Sequence, residues 1–255
     1  MRRPLVYCAL LSVSAFSALS SSAATITLQQ GLNGYTGTRD DDAVKSAGAG
    51  AYSNKDDNLY AFSAIDGTNL GTVVGFDASE IPSGVTINSA TLEMTFDNAS
   101  YGNGNSVTWA VKDPAVQWVE GEVNFVFAQN TGAGVLWNSS DSDVFGPGYS
   151  SDTGITMVNQ PTVATASSSG ATGQTLSFDV TSIVSGWETG AANNGFAVIP
   201  ISGDPASNFF WAGKANPTES YRPALVIDYS SVPEPTSAAL TCLGATMLLG
   251  RRRKK

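Results

Sequence analysis

The sequence predicts an all-β fold: an antiparallel β-sandwich, jelly-roll-like, with one short helix capping an end. Three observations predict it. Apolar and polar residues alternate in several short runs, as in strands with one buried and one wet face. Gly, Ser, Thr and Asn are abundant between these runs, with 26 glycines in 255 residues, so turns recur often enough to join many short strands. Long stretches of helical period are nearly absent.

From the N-terminus, Met1-Arg2-Arg3 is basic, Leu5 to Leu19 is apolar, and Ser22-Ala23-Ala24 is small. That order is a secretory signal peptide over residues 1–24, with cleavage expected after Ala24. The body, 25–231, begins with a strand at Thr25–Gln29. Further strands are expected at Leu59–Ile65 and Thr72–Phe76. Ala90, Leu92, Met94 and Phe96 alternate with Thr91, Glu93 and Thr95. Val107, Trp109 and Val111 alternate with Ser106, Thr108 and Ala110. The Ser/Gly/Ala-rich segment Thr165–Gly173 reads as a mobile loop. Strands follow at Leu176–Phe178 and Gly195–Ile199, and Leu225, Ile227 and Tyr229 mark the last. Between them Asp179 or Thr181 can cap a helix of a turn or two that carries Ile183, Val184 and Trp187, with Gly190 just beyond to end it.

Composition bounds the chemistry. The chain has no histidine, and its two cysteines, Cys8 and Cys242, lie outside the body. A Ser-His-Asp triad, a Cys-His pair and a zinc site of Cys/His type are excluded. The chain has 13 basic and 22 acidic residues. Setting aside the seven terminal cations and Glu234 leaves six basic and 21 acidic residues, a body near −15. Nucleic acid is a poor partner for such a surface.

Candidate sites are few. Asp40, Asp41 and Asp42, with Asp56 and Asp57 nearby, are the densest acidic region. Carboxylates in Asn/Gly-rich loops suit a hard cation, so these residues are candidates for structural calcium. Phe209-Phe210-Trp211 is the candidate carbohydrate platform. Neighbours in a strand point to opposite faces, so either Phe210 or the pair Phe209 and Trp211 should face outward. Glu120 and Glu122 lie two apart, as a carboxylate pair for glycoside cleavage could, but nothing marks one as acid and the other as partner. No catalytic residue is assigned.

The C-terminus reads as an address. Val232-Pro233-Glu234-Pro235 precedes a 13-residue apolar run, Ala238 to Gly250, and five terminal cations, Arg251 to Lys255. At 1.5 Å per residue a helical run of that length reaches about 20 Å, short of the roughly 30 Å of a hydrocarbon core. That suits transient membrane association better than a permanent span. The arrangement over 232–255 resembles the PEP-CTERM sorting signal. The resemblance implies an exosortase-type processing protease as partner, export, and residence at the cell surface or in extracellular matrix.

Three segments of the body resemble the DNRLRE-type β-sandwich, a module related to alginate-associated carbohydrate-binding modules. They are Phe76-Asp77 through Ser89-Ala90-Thr91-Leu92, the stretch Trp118-Val119-Glu120, and Phe178-Asp179-Val180-Thr181 through Trp187 and Gly190 to Asn193-Asn194-Gly195-Phe196. Arg222-Pro223-Ala224-Leu225 fits as well. Gly75 stands where the family often has a basic residue, and Ala212-Gly213-Lys214-Ala215 replaces a Ser-basic-Glu stretch. The resemblance implies a non-catalytic protein that binds polysaccharide. Two alternatives stay open: a structural or adhesive matrix protein with a protein partner, and a polysaccharide lyase or glycoside hydrolase.

Overall fold

Period-two patterning becomes two antiparallel sheets that share one apolar interior. The computed structural model describes residues 22–42, 57–63, 69–101, 107–114, 117–120, 127–129, 135–136, 162–202 and 207–231. In chain order the strands are β1 (Ala23–Gln29), β2 (Thr38–Asp42), β3 (Asn58–Ser63), β4 (Asn69–Leu70), β5 (Thr72–Phe76), β6 (Val85–Tyr101) and β7 (Val107–Lys112). They continue with β8 (Phe127–Gln129), β9 (Val135–Leu136), β10 (Thr162–Ser168) and β11 (Thr175–Asp179). The helix α1 (Thr181–Glu188) precedes β12 (Phe196–Ser202), β13 (Ser207–Ala212) and β14 (Ala224–Ser231).

One sheet runs β1-β14-β6-β13-β3-β4, with β11 also paired to β6; the other runs β10-β7-β12-β5-β2. β8 and β9 pair with each other. Contacts gather Ala23–Ser231 into one compact unit; the chain on either side of it falls outside the described residues, Ser22 apart. The expected strands are present. In β6, Ala90, Leu92, Met94 and Phe96 are buried while Thr91 and Glu93 remain part-exposed. β3 ends at Ser63, and Ile65 lies outside the described residues.

The two sheets meet through aromatic rings. Phe96 of β6 stacks on Trp211 of β13 at 3.8 Å between centroids, and Trp109 of β7 meets Trp211 edge-on at 4.8 Å. Phe209 completes the cluster, 5.2 Å from Trp109. Offset and edge-on pairs add to the area these rings bury. The indole N–H groups of Trp109 and Trp211 have no hydrogen-bond acceptor among the described residues.

The helix forms where the sequence places it, with a difference at its start. The N-cap position is Val180, which has no side-chain acceptor. Asp179 does the work from one residue back: its carboxylate accepts the Thr181 N–H at 3.0 Å and the Thr181 hydroxyl at 2.6 Å. The Thr181 oxygen in turn accepts the Ala90 N–H of β6 at 2.9 Å, tying the helix to the long strand. Ile183 and Val184 enter the core, and half-buried Trp187 lies 5.4 Å from the Phe196 ring.

The first part of the segment expected as a mobile loop, Thr165–Ser168, is strand. β10 runs to Ser168 and pairs with β7 from Lys112 back to Val107, with a register shift between Thr162 and Ala164. Small residues suffice there because Val163, Ala164 and Ala166 need only pack the rim of the core. The remaining turn is tight. The Ser168 hydroxyl donates to Gln174 at 3.0 Å and accepts the Gly170 N–H at 2.7 Å.

One glycine in the Asn193-Asn194-Gly195 turn is required by space as well as by conformation. Gly195 has φ of +75°, and a Cβ there would stand 2.5 Å from the Val74 carbonyl oxygen. Gly195→Ala is therefore expected to lose about 1–3 kcal/mol of stability, measured by denaturant unfolding. An unchanged midpoint would show that β5 can give way.

Candidate functional site

The quoted motifs converge on the outer edge of the five-stranded sheet. β2 is that edge, paired with β5 so that Arg39 lies opposite Gly75 and Asp40 opposite Val74. Alternation sends Asp40 to the core side, with Val74, and Arg39 to the outer side. There the Arg39 guanidinium sits 4.7 Å above the centre of the Trp118 ring and donates to the Asn193 carbonyl at 3.2 Å. The Trp118 indole N–H donates to the Asn194 carbonyl at 2.8 Å, and the Asn194 amide donates to the Pro114 carbonyl at 2.8 Å. The Asn193 amide donates to the Phe76 carbonyl at 2.8 Å. The Trp118 stretch and the Asn-Asn-Gly turn are thus one lock around Arg39.

Gly75 is part of that lock. A Cβ there would come within 2.4 Å of Arg39 Nε. A larger side chain at position 75 would compete with Arg39 for this space.

A second set of charges closes the edge itself. The Asp40 backbone N–H donates to the Glu120 carboxylate at 3.1 Å, and Glu120 forms a salt bridge with Lys214. The Lys214 backbone N–H donates to the Asp40 carboxylate at 2.5 Å. Asp40 is fully buried. Burial pushes its carboxyl up to about 8, and the Glu120 charge adds to this, against the opposing pull of the Lys214 N–H and ammonium. Desolvation outweighs these contacts because the charge would be buried away from water. Burial likewise lowers the pKa of Arg39. Sealed from solvent, the Asp40 carboxyl joins β2 to the Lys214 segment as a structural clasp.

The acidic candidates separate on folding. Asp40, Asp41 and Asp42 lie in a strand, not in the loop expected of them. Asp40 and Asp41 are both buried and point to opposite faces, so they do not converge on one ion. Asp57 is exposed at the start of β3, while Asp56 and the side chain of Asp42 lie outside the described residues. No cluster of three metal-ligating side chains occurs among the described residues.

The aromatic triplet also divides. Phe209 and Trp211 are buried in the inter-sheet cluster, whereas Phe210 is half-buried on the other face. Its ring lies 5.3 Å from Tyr60 of β3, which pairs directly opposite. Sugar stacking can therefore involve Phe210 of this triplet, beside Tyr60, and not Phe209 or Trp211. Tyr60 had no motif around it. Arg39 and Lys214 were findable only through scarcity, being two of six cations in the body. Val232, Pro233, Glu234 and Pro235 lie outside the described residues, and so does Glu122. No helix among the described residues is long and apolar enough to cross a membrane.

Comparison of the chain with protein-family models and with curated protein sequences found no match.

Proposed function

We propose that this is an exported, non-catalytic surface or matrix protein, sorted through its C-terminal tail by an exosortase-type protease, whose β-sandwich body binds polysaccharide. The observation that carries the reading is the order of signals in the sequence: a basic-apolar-small N-terminus, then a folded acidic body, then Pro233-Glu234-Pro235, a short apolar run and five cations. Polysaccharide is supported by the outward Phe210–Tyr60 pair, since aromatic faces can stack on sugar rings while the sheet holds them in place. Absence of histidine and of body cysteine, together with the sealed Asp40, favours binding over catalysis.

Two measurements test this. Mass spectrometry of the protein recovered from the cell surface should find no peptide containing Cys242; an intact Arg251–Lys255 end on that mature protein removes the sorting half. A survey of glycans, with and without calcium, should find a binder whose affinity falls in Phe210→Ala. Calcium dependence would return the exposed Asp57 and its acidic neighbours as ligands. Absence of any glycan binder favours a protein partner, and product release from a soluble polysaccharide would make the protein an enzyme.

A further inference from the structure

The two large sheets of this sandwich end in edges, and among the described residues all but one of these edges are guarded. Unpaired edge strands invite pairing with other chains, and native proteins block this with charge, proline, bulges, shortness or cover. β2 carries Arg39, Asp40, Asp41 and Asp42, and Glu120 takes up the Asp40 N–H. β4 has only two residues. β10 contains a register shift, and β11 ends on Asp179. Among the described residues β1 has none of these devices. It pairs with β14 over seven consecutive residues without a shift, it contains no charge and no proline, and it lies at the end of its sheet.

The sequence of β1 is also self-complementary. Take two copies antiparallel about a two-fold axis through Ile26. On the core side Ile26 then meets Ile26, and Leu28 meets Ala24. On the outer side Thr25 meets Thr27. Large faces small across the pair, and threonine faces threonine, which is a favourable cross-strand pair. A two-fold contact requires this property, that one patch fit itself. Cleavage after Ala24 would remove the Leu28–Ala24 pairs and place an ammonium on Thr25, leaving the Ile26 and Thr25–Thr27 pairs.

We propose that β1 is a self-association edge, through which two copies of this chain join their larger sheets by antiparallel β1–β1 pairing. The occupant is a second copy because the strand matches itself and offers no charge for a foreign strand to read. The acidic body opposes the approach of two copies, so pairing strengthens as salt screens that repulsion. This proposal is independent of polysaccharide binding.

The test uses the full chain with Cys8 and Cys242 replaced by serine, followed by sedimentation velocity across a wide concentration range. Wild-type β1 should shift from one chain to two as concentration rises, at lower concentration in high salt. Thr25→Lys with Thr27→Lys sets lysine opposite lysine across the axis and should weaken association roughly ten-fold or more. The sheet should tolerate it, since Thr25 already neighbours the Asp228 carboxylate at 2.5 Å. A second measurement does not depend on that variant. Ile26→Cys stands on the axis and should oxidise to a covalent dimer, because directly opposed strand residues lie within disulfide reach. Ser177→Cys, exposed on β11, should not. A protein that stays single at all concentrations, or cysteines at 26 and 177 that cross-link equally, would overturn the proposal.

Discussion

Trp211→Ala is expected to cost about 3–5 kcal/mol of folding stability, the range for deleting a buried aromatic ring. The indole is fully buried, stacks on Phe96 at 3.8 Å and meets Trp109 edge-on at 4.8 Å. It belongs to one sheet and touches the other, so its loss opens a cavity at the seam between them. Local collapse is hindered because Phe96, Trp109 and Phe209 are themselves fixed by strand pairing. Urea unfolding checks this: a lowered midpoint with an unchanged slope is the expected result. A loss under about 1 kcal/mol would mean that the ring does not fill the seam. Trp187→Ala should cost less, because Trp187 is only half-buried on α1.

Asp40→Asn is expected to stabilise the protein at pH 8 and to do little at pH 4. The folded state holds the Asp40 carboxyl near 8, whereas the ordinary value is 3.8. Between these values the folded chain keeps a proton that the unfolded chain releases. Stability therefore falls as pH rises through this window, by at most about 1.4 kcal/mol per pH unit. Below the window both states are protonated and the effect vanishes. Asparagine is neutral throughout and can still accept the Lys214 N–H, so the variant's advantage should grow to roughly 2–4 kcal/mol by pH 8. Paired thermal melts at pH 4, 6 and 8 give the difference directly. A difference that does not change with pH would show that Asp40 ionises in place without penalty.

What was legible in the sequence follows from local periodicity. Ala90 to Phe96 announces a half-buried strand because every second residue is apolar, and the structure places those residues in the core. Ile183, Val184 and Trp187 announce one helical face for the same reason. β10 was hidden because its Ser/Ala/Thr composition is that of a linker, and only the neighbouring strand β7 makes it a ladder. β2 was hidden because aspartate is disfavoured in strands; its conformation is fixed by pairing with β5 and by Glu120 beyond the edge. The Arg39 lock joins positions 39, 75, 118 and 193, and such separations leave no local trace. The Phe209–Trp211 triplet lay between these cases. Alternation could say that one face turns outward, but only the register of β13 on β6 decided that it is Phe210.

The pairing of β1 with β14 sets an order of events during folding. Ala23 lies opposite Ser230 and Gln29 opposite Ala224. β6, in the middle of the chain, likewise waits for β14, β13 and β11. The larger sheet can close only once the last strand is available. Contacts between such distant positions form late and slowly. The first strand of the body must therefore stay unpaired until the last one is made.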